Sequence, residues 1–91
     1  MQQEIFAVYD EKAEAFMTPF FLQTIAMAIR AITDCVNDPS HNFGAHPADY
    51  TLFHIGTYDT QTSVIVSCKK SLGNGVEFKT QTVMFENDTS R

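Results

Sequence analysis

The chain has 91 residues, 44% of them hydrophobic, and its eleven acidic and six basic side chains give a formal net charge of −5. This length allows one domain with a single core, residues 1–91, and excludes a second domain. The acidic charge argues against a protein that holds nucleic acid over its whole surface, because phosphate contacts need clustered lysine and arginine side chains.

A β-hairpin is predicted at the start of the chain. Residues 4–9 form an apolar run with strand propensity, and the polar residues 10–13 can turn the chain back toward residues 15–17. Pro19 cannot donate a hydrogen bond to a sheet, so the second strand should be short, irregular or at a sheet edge.

An amphipathic helix is predicted from Leu22 to about Val36. Its apolar residues recur at spacings of three and four, and they are Leu22, Ile25, Ala28, Ile29, Ile32, Cys35 and Val36. Arg30 lies on the opposite face of this helix. Pro39 ends the helix because proline lacks a backbone donor and forces Asp38 out of helical geometry, and a long loop then leads to the next strand.

The sheet is expected to continue after the helix with three strands, over residues 51–58, 63–70 and 76–85. In the first of these strands, the alternation of side chains puts Phe53 on one face and Tyr58 on the other. Gly73-Asn74-Gly75 supplies the positive backbone angles of a tight hairpin turn between the last two strands.

Together these elements predict an α+β fold, in which a single helix packs on an antiparallel sheet of about five strands in the order ββαβββ. The apolar content of the last strand switches face after Lys79, which a bulge, a strand crossing to another sheet or a partner subunit would each explain. A homodimer is expected from this switch together with strands that are apolar on both faces and with Met27 and Ala31, which lie outside the main apolar stripe of the helix. Residues 87–91 are expected to form a frayed tail.

Catalysis and cofactor binding are not indicated by the sequence. No nucleophile with a base, carboxylate pair or phosphate-binding glycine loop can be assembled, so we expect no enzyme activity, no cofactor and no small-molecule substrate. His41 and His46 are five residues apart and meet no standard zinc spacing, so no metal site is expected. Cys35 and Cys68 have no further pair and are interpreted as small buried apolar residues.

Aromatic side chains are plentiful, with three tyrosines and eight phenylalanines. A domain of this size cannot bury all of them, and exposed aromatic rings beside cations can bind a single strand because every base offers a stacking face. The candidate nucleic-acid-binding residues are Lys69, Lys70, Lys79, Arg30, Tyr9, Phe16, Tyr50 and Tyr58. Lys69 and Lys79 are predicted to share one face of the second hairpin, although lysines on a solvated hairpin also occur without any function.

A family resemblance rests on three segments in a fixed order. They are Val8-Tyr9-Asp10, Thr18-Pro19-Phe20-Phe21, and the stretch from Val36 to Asp59 that contains His46-Pro47-Ala48-Asp49-Tyr50. Over roughly residues 4–60 the chain resembles the small nonstructural protein of gokushoviruses, single-stranded DNA phages of the Microviridae. The resemblance implies a nonstructural phage protein that is made in a bacterium and acts on single-stranded viral DNA.

Two functions are therefore compatible with the sequence. The first is an accessory protein that binds single-stranded DNA non-enzymatically during phage genome replication or packaging. The alternative is a homo-oligomeric interaction module that contacts a viral or host protein, for which an acidic surface and surplus apolar side chains are typical. The chain has no run of 18 apolar residues and no basic and apolar leader, so we expect no membrane association and a location in the host bacterial cytoplasm.

Overall fold

A central strand with partners on both edges organises the fold, which a computed structural model describes for residues 1–79. The strands are β1 (Gln2–Asp10), β2 (Ala15–Phe16), β3 (Phe20–Leu22), β4 (Tyr50–Asp59) and β5 (Ile65–Asn74). β1 pairs antiparallel with β2 and β3 on one edge and with β4 on the other, and β5 pairs antiparallel with β4. The strand order is therefore β2-β1-β4-β5, with β3 also beside β1.

One helix of three turns accompanies this sheet. The α-helices of the described part of the chain are α1 (Ile25–Val36), α2 (Asn42–Ala45) and α3 (Gly75–Phe78), and a short 3-10 helix covers Pro47–Asp49. The side chain of Thr24 accepts a hydrogen bond from the Met27 backbone N–H at 3.1 Å, which caps α1. α1 begins after the predicted Leu22, because Leu22 pairs with Glu4 of β1. The predicted α+β class, a helix with a five-stranded antiparallel sheet, is confirmed.

The core lies between α1 and one face of the sheet. Its buried residues come from β1, α1, α2 and β4, and they are Phe6, Val8, Ala28, Ile32, Val36, Phe43 and Leu52. Each large aliphatic or aromatic side chain buried here contributes about 1.5–3 kcal/mol of hydrophobic stabilisation. The predicted apolar stripe of the helix thus packs on the sheet. No helix within residues 1–79 is long and apolar enough to span a bilayer.

The predicted hairpin at residues 73–75 is wrong. Gly73 does have a positive φ of 142°, but Asn74 is extended and caps α3. The Asn74 side chain accepts a hydrogen bond from the Val76 N–H at 3.0 Å, and the Glu77 carboxylate accepts one from the Asn74 N–H at 3.4 Å. This capping box starts a helix where the glycines alone indicated a turn.

The order of elements changes as a result. Three strands precede α1 and two follow it within the described residues, instead of the predicted ββαβββ. The short strand β3, which no pattern in the sequence indicated, supplies the third. The rest of the predicted last strand, residues 80–85, and the predicted tail, residues 87–91, lie outside the described residues.

Asn74 joins three parts of the fold. Besides capping α3, its side-chain amide donates to the Ala48 carbonyl oxygen at 3.0 Å and to the Thr51 hydroxyl oxygen at 3.1 Å. It therefore ties the end of β5 to the loop before β4 and to β4 itself.

We expect Asn74→Ala to lower the free energy of unfolding by about 1–2 kcal/mol, because the cap and both amide hydrogen bonds are lost. Urea denaturation followed by circular dichroism measures this change. Asn74→Asp keeps the cap acceptor and loses only the amide donors, so its loss should be smaller. If Asn74→Ala had the same free energy of unfolding as the wild type, the role given to this side chain would be contradicted.

Candidate nucleic-acid interface

The sheet has a second face, turned away from α1, which we call the open face. Because side chains alternate along a strand, Phe6 of β1 enters the core while Ala7 and Tyr9 lie on the open face. Residues paired across neighbouring strands share a face, and the register pairs Ala7 with Phe53 and Tyr9 with Phe16. Aromatic side chains from β2 and β4 are therefore brought together there.

A β-bulge in β4 decides where Tyr58 lies. The pairing of β4 with β1 shifts by one residue, from Phe6 opposite His54 to Ile5 opposite Gly56, so Ile55 is the extra residue. Beyond this bulge Tyr58 pairs with Gln3, which shares the open face with Ala7. The prediction that Phe53 and Tyr58 lie on opposite faces is therefore wrong.

Lys69 lies over two rings of the open face. Its Nζ is 5.3 Å from the centre of the Phe16 ring and 5.7 Å from that of Phe53. The Phe16 ring is 5.3 Å from the Phe53 ring and 4.9 Å from the Tyr9 ring, both in edge-to-face geometry. These distances suit cation–π and aromatic interactions. We call these four residues, Tyr9, Phe16, Phe53 and Lys69, the Lys69 cluster.

The Lys69 cluster is accessible from solvent. Phe16 is 43% exposed, and Lys69 is also exposed. Two shallow hollows of about 400 and 380 Å³ adjoin these side chains. The Glu11 side chain lines the smaller hollow, so one carboxylate accompanies the cation at this edge of the cluster.

A second aromatic pair lies farther along the open face. The Phe21 and Tyr58 rings are 5.9 Å apart in edge-to-face geometry, and Phe21 is 46% exposed. Of the predicted aromatic residues, Tyr9, Phe16 and Tyr58 thus share one face of the sheet with Lys69.

Lys79 and Arg30 lie on the other side of the sheet from the Lys69 cluster. Lys79 follows α3, which packs against α1, and the Asn37 side-chain amide joins the two helices by donating to the Phe78 carbonyl oxygen at 3.2 Å. Arg30 is exposed on α1 itself. The prediction that Lys69 and Lys79 share a face is wrong, because the hairpin that it required is replaced by α3.

Lys70 and Tyr50 are also separated from the cluster. Lys70 pairs with His54, whose ring contacts the core residue Phe6 at 5.4 Å, so Lys70 belongs to the face opposite Lys69. The Tyr50 ring packs 4.4 Å from Phe43. Desolvation raises the pKa of the Tyr50 hydroxyl, and the nearby carboxylates of the chain raise it further.

Sequence reasoning missed Phe53 and Phe21 as site residues. Alternation in β4 left open which face was the core side, and the position of Phe53 beside Lys69 depends on the register between β4 and β5. That register shifts twice, between Leu52 and Phe53 and between His54 and Gly56, and no sequence pattern announces these shifts.

The cysteines are less buried than predicted, and His41 has a structural role in the loop. Cys68 is exposed rather than buried, because it lies on β5, which within residues 1–79 has a neighbouring strand on one side only, whereas Cys35 is half-buried. The His41 ring caps α2, with Nδ1 accepting a hydrogen bond from the Phe43 N–H at 3.0 Å. Among residues 1–79, no three His, Cys, Asp or Glu side chains lie close enough to hold a metal ion.

A double-mutant cycle can test the geometry of the Lys69 cluster. Combining Lys69→Gln with Phe16→Leu should give a coupling of about 0.5–1 kcal/mol, the size of a cation–π contact at an exposed site. The measurement is the free energy of unfolding in urea for the wild type, both single variants and the double variant. The matched cycle of Lys70→Gln with Phe16→Leu should give no coupling, and equal couplings in the two cycles would contradict the geometry.

Comparison with known proteins gives one match to a family. The family model described as Phage ORF5 protein matches residues 3–78, most of the chain and nearly all of the described fold. No curated protein and no solved structure matches the chain. On the extent of the family match, this chain belongs to the Phage ORF5 protein family and is a phage protein.

Proposed function

We propose that this phage protein binds single-stranded DNA non-enzymatically through its open face. The observation that carries the proposal is the position of Lys69 over the exposed ring of Phe16 and the half-buried ring of Phe53. A cation held on an aromatic platform offers a phosphate contact and a stacking surface within the length of one nucleotide. Proteins that bind single strands without sequence preference combine these two elements.

The two aromatic groups of the open face suit an extended strand. Stacking of one base on an aromatic side chain contributes about 1–3 kcal/mol. Phe53 and Tyr58 lie on the same strand, roughly 15 Å apart at the usual rise per residue. A single strand that crosses the open face could therefore place one base on the Lys69 cluster and another near Phe21 and Tyr58.

The charge of the protein limits the strength of this binding. The chain carries a formal charge of −5, and of the predicted cations only Lys69 lies on the aromatic platform. Each phosphate neutralised on a single strand gives a salt slope of roughly −0.7 in log K against log salt. One or two lysines per protomer would give a slope between about −0.7 and −1.4. Stacking rather than charge would supply most of the affinity.

The biological setting is part of the same proposal. Membership of a phage protein family, together with the resemblance of residues 4–60 to the gokushovirus nonstructural protein, supports an accessory role in a single-stranded DNA phage. The protein would act in the host bacterial cytoplasm, during genome replication or packaging. It would act there without catalysis.

Fluorescence anisotropy of a labelled single-stranded oligonucleotide tests the proposal. Lys69→Glu should weaken binding by about tenfold or more, because a phosphate contact becomes a repulsion. Phe16→Ala should weaken binding by a similar factor through loss of one stacking surface, with little change in the salt slope.

Lys79→Glu is the matched control, because it makes the same change of net charge on the helix side of the sheet. It should bind within about twofold of the wild type if local geometry rather than net charge decides affinity. Equal effects of Lys69→Glu and Lys79→Glu would refute the proposed surface. Absence of saturable binding by the wild type at low salt would refute the function.

A second candidate function rests on the edge strand β5. Ile65 and Val66 are 58% and 62% exposed, and within the described residues β5 pairs only with β4. Successive residues of a strand point to opposite faces, so both sides of this end of β5 are apolar and uncovered. Antiparallel pairing of β5 with a second copy would satisfy the backbone groups at its open side and place cross-strand neighbours beside both side chains, as expected for a homo-oligomeric module that contacts a viral or host protein.

Sedimentation velocity over a range of concentrations tests this candidate. We expect a wild-type dimer at micromolar concentration and a monomer for Val66→Lys, because a lysine on an exposed edge strand opposes its pairing with another strand. Val76→Lys is the control, since Val76 is 53% exposed but lies on α3. A wild-type monomer at every concentration would remove this candidate.

A further inference from the structure

Three titratable side chains form one hydrogen-bonded row that ends at β5. His54 Nε2 is 2.8 Å from Glu4 Oε1, and Cys68 Sγ is 3.6 Å from His54 Nδ1. The three residues come from β1, β4 and β5, so the row crosses the sheet through adjacent strands. The row touches the proposed DNA surface only at the hollow that Cys68 shares with Phe16 and Lys69, and DNA binding gives Glu4 and His54 no role.

The carboxylate fixes the direction of the hydrogen bonds. An ionised Glu4 can only accept, so Nε2 of His54 carries the proton and donates it. In the neutral imidazole, Nδ1 then holds the free lone pair and faces the Cys68 sulfur. A nucleophile, a base within hydrogen-bond reach and a group that orients the base are the arrangement that activates a thiol.

Exposure distinguishes the three members of this row. The Glu4 and His54 side chains are 20% and 13% exposed, which favours a fixed geometry, whereas Cys68 is exposed and open to a reagent. The Cys68 sulfur is also 3.6 Å from the His54 carbonyl oxygen, which is an alternative acceptor for its single S–H proton. Cys68 further lines the larger hollow on the sheet, of about 400 Å³.

The neighbours of Cys68 supply positive charge. Lys69 and Lys70 follow it directly in the exposed part of β5, and they lie on opposite faces of the strand. Cationic side chains beside a cysteine attract anionic reagents. Among possible reagents, an anionic disulfide fits this surrounding best.

We propose that Cys68 is a site of thiol–disulfide exchange with an anionic low-molecular-weight disulfide. The Cys68 sulfur attacks one sulfur of the reagent while its proton passes to His54 Nδ1, and a new S–S bond forms. The S–S bond of the reagent breaks, and the leaving thiolate takes the proton from His54. Cys68 is oxidised to a mixed disulfide, and one reagent sulfur is reduced to a thiol.

Cys35 provides an internal control in the same chain. It is half-buried on α1, and burial raises the pKa of its thiol, as do the nearby Asp34 and Asp38 carboxylates. It should therefore react slowly in the folded protein. Faster reaction of Cys35 in a variant would report a loosened fold rather than a change at Cys68.

The experiment measures the rate of mixed-disulfide formation at each cysteine with oxidised glutathione, resolved by mass spectrometry of peptides. At neutral pH Cys68 should react at least about tenfold faster than an unstructured peptide of residues 66–71, on the scale of general-base assistance. His54→Gln should remove most of this excess and change the pH–rate profile, with the Cys35 rate unchanged. Glu4→Gln should lower the Cys68 rate by a smaller factor, because a neutral acceptor remains.

Replacing the reagent tests the proposed charge preference. Cystamine, a cationic disulfide, should lose rate relative to oxidised glutathione in the folded protein, and Lys69→Gln with Lys70→Gln should abolish the difference. A Cys68 rate equal to that of the peptide would overturn the proposal, as would a rate in His54→Gln equal to that of the wild type. The rates of the wild-type protein and of the peptide can be compared even if His54→Gln fails to fold.

Discussion

The constraint on which the structure depends is the burial of β1 on both faces. Its residues Ile5–Val8 are all buried, although successive residues of a strand point to opposite faces. α1 covers one face, and the other face has no helix of its own within the described residues. Aromatic rings on β2, β3 and β4 lie over the open face instead, with Phe16 and Phe21 close to half exposed. The surplus of aromatic residues in the sequence thus follows from a central strand that one helix cannot cover.

Local patterns in the sequence predicted the parts of the fold that depend on nearby residues. The apolar run of β1, the polar turn after it and the three-and-four spacing of α1 each reappear in the structure. The errors arose where a side chain or a distant strand decided the outcome. Asn74 and Glu77 form a capping box that overrides the turn tendency of the glycines, and Leu22 pairs with Glu4 although its spacing fits the helix. Tyr58 changed face because one extra residue in β4 shifts the register.

The candidate site was only partly predictable for the same reason. Tyr9 and Phe16 pair across a short hairpin, so their contact follows from local sequence. The approach of Lys69 to Phe16 links residues 53 positions apart and depends on two register shifts in β4 and β5. Composition indicated that some aromatics would be exposed beside cations, and the fold determined which ones. Of the four predicted cations, it placed one on the aromatic platform.

Because the open face of one copy carries few cations, its binding to DNA would gain from self-association through β5. Antiparallel pairing of two β5 strands has its two-fold axis perpendicular to the sheet, so the open faces of both copies would lie on the same side. Such a dimer would present two Lys69 clusters on one continuous surface. A single strand that crosses both copies would meet twice as many phosphate and stacking contacts, and the salt slope would rise in proportion. DNA binding and self-association through β5 are therefore compatible, and each would strengthen with the other as protein concentration increases.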